Sequence, residues 1–138
     1  MKILIFGLPG SGKTYLAERL QNYLQCAWFN ADEIRKMAND WEFSNTARLR
    51  QAYRMKNLAD FEVKNGRNVI CDFVCPLNKT REIFNADYSI FMNTIHSGRF
   101  DDTNKIFEIP EKTNLVVNTW MKENEIECIA YRIREELL

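Results

Sequence analysis

Several features are scarce in this 138-residue sequence, and each scarcity excludes a class of function. There is one histidine, and the four cysteines form no C-x-x-C pair, so a zinc site is not expected. Lys plus Arg and Asp plus Glu number 19 each, so no overall field attracts a polyanion and nucleic-acid binding is not expected. No apolar run reaches the length that spans a bilayer.

The scarcities also predict where the protein acts and how it is organised. Cysteines without a paired pattern are expected to be reduced thiols, as in a cytoplasmic protein. Met1 leads almost directly into an apolar strand, which leaves no room for a signal peptide. The length fits one domain, spanning residues 1–138, that can bury its own core. Nothing in the sequence fixes the oligomeric state, and a homodimer is one possibility.

The N-terminus carries the most specific motif. An apolar run at residues 3–6 is followed by GLPGSGKT at residues 7–14, which matches the phosphate loop G-x-x-x-x-G-K-[ST] between a strand and a helix. Such a loop points backbone N–H groups and a helix N-terminus at phosphate groups. A glycine-rich turn without a ligand would not need Lys-Thr at the helix start. The predicted ATP-binding residues are Gly7, Pro9, Gly10, Ser11, Gly12, Lys13, Thr14 and Tyr15.

Within that loop, two side chains have distinct predicted roles. Lys13 would reach the β- and γ-phosphates, and the Thr14 hydroxyl would ligate Mg²⁺. Asp72 follows the apolar residues 69–71 at the end of a predicted strand. This is the position of a Mg²⁺-associated carboxylate, although an Asp there can also cap a turn.

Apolar segments alternate with helical patterns along the whole chain. The predicted strands are residues 3–6, 27–29, 68–73, 88–92 and 115–118. The predicted helices are residues 13–24, a helix opening at 30–32, then 45–64, 78–85 and 123–137. Residues 94–113 are predicted to form a long loop, with a lid over about 96–108. This alternation predicts an α/β fold, a P-loop NTPase-type three-layer α/β/α sandwich with a five-stranded parallel sheet.

Beyond the phosphate loop, the sequence resembles the adenylylsulfate kinases, P-loop kinases that phosphorylate the 3′-hydroxyl of adenosine 5′-phosphosulfate. The family's D-G-D-N-x-R stretch corresponds to residues 30–35, and its G-F-S-x-x-x-R-x-x-N-x-R stretch to residues 42–54. Its S-P turn corresponds to Cys75-Pro76, and its F-T-G-I-D-x-x-Y-E-x-P stretch to residues 100–110. The similarity covers roughly residues 3–118, in order.

The resemblance implies a role for the residues at these positions. Asp32 would orient the acceptor hydroxyl and, with Lys13, form the catalytic pair. Arg35 and Arg48 would grip the phosphosulfate end, because an arginine fork matches such oxygens. The residues implied to bind the acceptor are Asp32, Arg35, Phe43, Arg48, Gln51, Cys75 and Phe100.

The sequence also departs from the family pattern. The lid is shorter and lacks the Arg-Asp-x-Lys-Gly stretch, so Arg99 is the candidate to contact the donor adenine. Asn30, Glu33 and Gln51 stand where the family has Asp, Asn and Asn. These differences keep open an acceptor other than adenosine 5′-phosphosulfate.

Most of these residues also have a purely structural interpretation. Asp32 would serve as a helix N-cap, Arg35, Arg48 and Arg54 as ordinary surface arginines, and Phe43 and Phe100 as core residues rather than base-stacking platforms. Cys75 is interpreted as a small buried thiol and not as a nucleophile.

The sequence thus predicts an ATP- and Mg²⁺-dependent kinase that phosphorylates adenosine 5′-phosphosulfate on its 3′-hydroxyl. The alternatives are a P-loop kinase acting on another nucleoside, nucleotide or modified nucleic-acid base, and a nucleotide-sensing module without catalysis.

Overall fold

The structure is a computed structural model that describes residues 1–137. Its strands are β1 (Lys2–Gly7), β2 (Ala27–Asn30), β3 (Val69–Asp72), β4 (Tyr88–Met92) and β5 (Leu115–Val117). Its helices are α1 (Lys13–Leu24), α2 (Ala31–Ala38), α3 (Asn45–Lys64), α4 (Asn78–Phe84), α5 (Asp101–Ile106) and α6 (Glu123–Leu137). Every predicted strand is present, and the bounds differ from the predicted ones by at most one residue.

The five strands form one parallel sheet in the order β2-β3-β1-β4-β5. The first strand, β1, therefore lies at the centre, and the strand order reverses beside it. Ligands of open parallel sheets bind at such a reversal, outside the carboxyl ends of the strands. The chain leaves β1 at Gly7, β2 at Asn30 and β3 at Asp72, so these three residues meet at one edge.

The sheet has a packed core on each face, which confirms the predicted three layers. Successive residues of a strand point to opposite faces, and β1 divides its side chains accordingly. Ile3 and Ile5 belong to the cluster built with α1 and α6. Leu4 and Phe6 belong to the cluster built mainly with α2, α3 and α4. All four side chains are at most 1% exposed.

Polar residues fix the helix ends next to the carboxyl edge. The Asn30 side chain caps α2 by accepting from the Glu33 N–H at 3.0 Å. The Ser44 hydroxyl caps α3 by accepting from the Ala47 N–H at 3.2 Å.

The other end of α3 is followed by a glycine. Gly66 has a φ of 75°, as a glycine after a helix C-terminus commonly does.

One predicted element is wrong. Residues 94–113 are not an unbroken loop, because they contain the short helix α5. Asp101 and Asp102 lie in its first turn and Lys105 in its last turn, the arrangement that complements a helix dipole. That charge pattern was the available sequence signal, and the high polarity of the segment concealed it.

The described chain has two further properties. No helix within residues 1–137 has the length and apolar character required to cross a membrane. Cys26, Cys71, Cys75 and Cys128 are all free thiols, as the sequence predicts.

Helix α3 supplies a test of the core cluster that is built mainly with α2, α3 and α4. Met55 is fully buried there, so Met55→Ala should lower the free energy of unfolding by about 2–5 kcal/mol. Tyr53, on the same helix, is 47% exposed, and Tyr53→Ala should cost less than about 1 kcal/mol. Urea unfolding of both variants measures the difference, and equal losses would contradict this packing.

Candidate active site

A cavity of about 860 Å³ opens at the carboxyl edge of the sheet. Fifteen of the seventeen predicted site residues line it, and the two that do not are Gly7 and Ser11. The phosphate loop forms one side of the cavity, and α2, the start of α3 and the lid segment form the rest. This volume is within the range of small-molecule clefts.

Close packing explains the glycines of the phosphate loop. A Cβ atom on Gly7 would lie 2.7 Å from the Met92 carbonyl oxygen, so Gly7 is structural and stands behind the cavity wall. Gly12 has a φ of 97°, and a Cβ there would lie 2.6 Å from the Trp120 ring. Ser11 is fully buried, and its hydroxyl has no hydrogen-bond partner among the described residues.

Lys13 lies at the start of α1 with its ammonium inside the cavity wall. Its Nζ donates to the Leu8 carbonyl oxygen at 2.9 Å, which holds the side chain along the loop. Burial lowers the pKa of Lys13 to about 8, against the opposing effect of the carboxylates of Asp72 and Asp32. A phosphate group placed here would favour the charged form.

Thr14 and Asp72 bring two oxygen donors together beside Lys13. Asn30 Nδ2 donates to Thr14 Oγ1 at 3.1 Å and to Asp72 Oδ1 at 2.7 Å. Burial raises the pKa of Asp72 to about 6, although hydrogen bonds from Trp28 and Asn30 lower it. A hydroxyl and a carboxylate next to a phosphate cradle are the hard oxygen ligands that Mg²⁺ takes, so the residues present fit this ion.

Asp32 faces the cavity from the first turn of α2. The N-cap of this helix is Asn30, so the alternative prediction that Asp32 is the cap is wrong. Asp32 is exposed, and no side chain in residues 1–137 donates a hydrogen bond to its carboxylate. The carboxylate is therefore free to accept one from a ligand.

Arg35 is not a surface arginine, because it is only 6% exposed. Its Nη1 donates to the carbonyl oxygens of Asp40 and Glu42, both at 3.0 Å, and its guanidinium lies 4.5 Å from the centre of the Phe43 ring. Arg35 therefore supports the loop between α2 and α3 while it lines the cavity. Part of its hydrogen-bonding capacity is already used.

Arg48 and Gln51, on α3, differ in what they offer a ligand. Arg48 lines the cavity and is partly exposed, and its Nε donates to the Phe43 carbonyl oxygen at 2.9 Å, which leaves its terminal nitrogens without a hydrogen-bond partner among residues 1–137. Gln51 is almost fully buried, and its amide pairs with the Ala31 carbonyl oxygen and with Arg54. Arg54 also binds the Asp40 carboxylate at 3.0 Å, and it does not line the cavity.

Aromatic rings line the cavity away from the phosphate loop. Phe43 and Phe100 are both more than half exposed, so the alternative prediction that they are core residues is wrong. Arg99 stacks on Phe100, with its guanidinium 5.3 Å from the ring centre. Each ring thus has a guanidinium over it, Arg35 in the case of Phe43, and a planar ligand would use the ring surface that no guanidinium covers.

Cys75 also lines the cavity, with its side chain 1% exposed. Burial raises the pKa of its thiol to about 12. A thiol that stays protonated is a poor nucleophile, which agrees with the predicted packing role.

The predicted lid segment, residues 96–108, is anchored on both sides of the cavity, by Thr94 just before it and by Glu108 at its end. Thr94 Oγ1 donates to the Ser11 carbonyl oxygen at 2.7 Å, which joins the segment to the phosphate loop. At the other end, Arg81 Nη2 donates to the Glu108 carbonyl oxygen at 2.6 Å, and the Glu108 N–H donates to the Pro76 carbonyl oxygen at 2.7 Å.

Sequence reasoning missed other residues of the cavity wall. The most prominent are two half-exposed tryptophans, Trp41 between α2 and α3 and Trp120 after β5. Asp102 and Thr80 also contribute to the wall. The only feature of the sequence that places Trp120 at the site is its position after the carboxyl end of β5. For Trp41 the only such feature is that it lies two residues before Phe43.

Comparison with known proteins bears out the resemblance. The sequence model of the family described as adenylylsulphate kinase matches residues 1–97. A probable adenylyl-sulfate kinase of Aeropyrum pernix is 33% identical over an alignment of 90 residues, which covers 59% of this chain and 48% of that protein. The chain therefore spans about half the length of this curated relative.

Solved structures share the fold. The APS kinase of Mycobacterium tuberculosis, solved in complex with AMPPNP and APS, superposes with a TM-score of 0.76 at 16% identity, over 97% of this chain and 96% of that one. The shikimate kinase of Aquifex aeolicus superposes with a TM-score of 0.70 at 16% identity, over 99% and 97%. The architecture is thus that of the P-loop kinases.

The lowered pKa of Lys13 predicts how ATP binding depends on pH. Above about pH 8 the free protein loses the Lys13 proton that a triphosphate requires, so ATP affinity should fall about tenfold between about pH 7 and about pH 9. Calorimetric titration across this range measures it. Lys13→Arg, which stays charged, should give a flat profile. A wild-type profile without slope, or the same slope in both proteins, would contradict this prediction.

Proposed function

Because the chain belongs to the adenylylsulphate kinase family, we propose that it is an ATP-dependent kinase that phosphorylates the 3′-hydroxyl of adenosine 5′-phosphosulfate. The observation that carries the proposal is a single cavity that contains the phosphate loop, the unpaired Asp32 carboxylate and Arg48. A phosphate donor and an anionic acceptor can therefore meet across Asp32.

The residues would divide the reaction between them. Lys13 and the loop N–H groups would stabilise charge on the transferred phosphoryl group. Asp32 would accept a hydrogen bond from the acceptor hydroxyl, hold it in line with the γ-phosphorus and take up its proton. A bond then forms between the acceptor oxygen and phosphorus, the bond to the β,γ-bridging oxygen breaks, and ADP leaves. Thr14 and Asp72 would hold Mg²⁺, which would supply further charge neutralisation when bound.

The other half of the cavity would hold the acceptor. The terminal nitrogens of Arg48 and the remaining nitrogens of Arg35 would bind its phosphosulfate oxygens. The faces of Phe43 and Phe100 would stack on its adenine. The lid segment, anchored at Ser11 and Arg81, would exclude water and limit hydrolysis of ATP.

One observation favours a different acceptor as the second candidate. The Arg35 guanidinium and the Gln51 amide already bind protein oxygens, which leaves Arg48 as the principal free anion ligand. An acceptor with less negative charge, such as a nucleoside, a modified base or a small polyol, would suit that inventory. Release of ADP from ATP with a panel of these hydroxyl compounds separates the candidates, and the preferred acceptor is the one with the highest kcat/KM.

Asp32 tests whether the protein is a kinase at all. Asp32→Ala should retain ATP affinity but lower kcat with adenosine 5′-phosphosulfate at least about 100-fold, because the hydroxyl loses its orienting partner. Glu33→Ala, a neighbouring exposed acid on α2 that does not line the cavity, should leave both values unchanged. A coupled assay of ADP release measures turnover.

Two results would contradict this assignment. Wild-type ADP release no faster with adenosine 5′-phosphosulfate than with buffer would reject this acceptor. Equal trace hydrolysis in wild type and Asp32→Ala, with ATP affinity intact, would favour a nucleotide sensor.

Trp120 should hold the donor base, because its ring lies against the phosphate-loop backbone at the cavity rim. Stacking of a base on an aromatic side chain is worth about 1–3 kcal/mol, so Trp120→Ala should weaken ATP binding about tenfold. Binding of inorganic tripolyphosphate, which has no base, should not change. Equal weakening of both ligands in a calorimetric titration would show that Trp120 only supports the loop. Trp41→Ala, on the acceptor side, is the matched control for ATP binding.

A further inference from the structure

The Asn30 side chain links the end of β2 to two neighbouring elements, β3 and α1. Asn30 is the last residue of β2, and its partner in the β2–β3 register is Asp72. Thr14 approaches the same point from the first turn of α1. A single side chain at this position can therefore contact groups from three different elements.

The chemistry of the contacts fixes which way the Asn30 amide points. Its Oδ1 accepts from the Glu33 N–H, which is a donor only. Its Nδ2 lies between Thr14 Oγ1 and the Asp72 carboxylate, which can only accept when ionised. The cap of α2 therefore uses the amide oxygen, and the bridge between Thr14 and Asp72 uses the amide nitrogen.

The Asn30 bridge orients the Thr14 hydroxyl and the Asp72 carboxylate but leaves acceptor sites free on both groups. Asp72 Oδ1 accepts from Asn30, and Oδ2 accepts from Trp28 Nε1 at 3.0 Å. Each carboxylate oxygen keeps a second acceptor site, and so does the Thr14 hydroxyl. Within residues 1–137, no other side chain hydrogen-bonds to both Thr14 and Asp72.

From this geometry we propose that Asn30 is a positioning residue, which fixes the Thr14 hydroxyl relative to the Asp72 carboxylate so that both present oxygens to one divalent cation. This inference rests on the proposed function, in which the cation accompanies ATP. Groups that orient metal ligands typically change metal affinity about 10- to 100-fold when they are removed. The Asn30 side chain is neutral and adds no charge to the cation site.

The amide oxygen of Asn30 caps α2, and the amide nitrogen bridges Thr14 and Asp72. A substitution can therefore separate these two roles. Serine caps helices about as well as asparagine but has no group that reaches two acceptors, so Asn30→Ser keeps the cap and removes the bridge. The measured quantity is the ratio of ATP affinity with Mg²⁺ to ATP affinity without it. The ratio should fall about tenfold in Asn30→Ser, while the affinity without Mg²⁺ stays the same.

A double-mutant comparison tests whether Asn30 acts through Asp72. In an Asp72→Asn background the carboxylate is gone, so Asn30→Ser should lower the ratio by less than about threefold. Asn45→Ser, an exposed position at the start of α3, is the matched control and should change nothing.

Two results would overturn the inference. One is an unchanged ratio in Asn30→Ser, whether both affinities stay the same or both fall equally, and an equal fall would indicate that Asn30 acts as a cap alone. The other is a full tenfold loss in the Asp72→Asn background. If the wild-type protein bound no ATP with Mg²⁺, the proposed function would fail, and this inference would fall with it. Wild-type binding together with either of the two results rejects the inference alone.

Discussion

Parallel pairing of β1 with β3, and of β3 with β2, is the constraint on which the site depends. The register places Ile5 opposite Asp72, and Asp72 opposite Asn30. Because parallel strands all end at the same edge, the phosphate loop after β1 and the polar ends of β2 and β3 must converge. A one-residue slip of β3 against β1 would turn Asp72 to the other face of the sheet and separate it from Thr14, and a slip of β2 against β3 would move Asn30 away from Asp72.

The two core clusters hold that edge from opposite sides. Helix α1 begins at Lys13 and packs its apolar residues on one face, whereas α2 and α3 pack on the other. The loop carrying Lys13 and the helices carrying Asp32 and Arg48 are therefore fixed to the same sheet, and Asn30 links Thr14 to the start of α2. The cavity is the space between these two anchored layers, and the lid segment contacts both.

The fold and much of the site could be predicted from the sequence, because their determinants are local. The glycines and Lys13-Thr14 predict the phosphate loop, and apolar alternation predicts the strands. What could not be predicted depends on distant contacts. The sequence gives no sign that Arg35 donates to the Asp40 and Glu42 carbonyls, that Gln51 pairs with Ala31, or that Trp120 packs on Gly12. Helix α5 was missed because its signal is one turn of charges within a polar segment.

The three tryptophans of the sequence all lie around the same cleft. Trp41 and Trp120 line it, and the indole N–H of Trp28 donates to Asp72. No tryptophan lies in the part of the molecule remote from the cleft, as the sequence has only three. Tryptophan emission, excited where tyrosine does not absorb, is therefore a local reporter of the cleft rather than an average over the molecule, so ligand occupancy can be followed optically without attaching a dye.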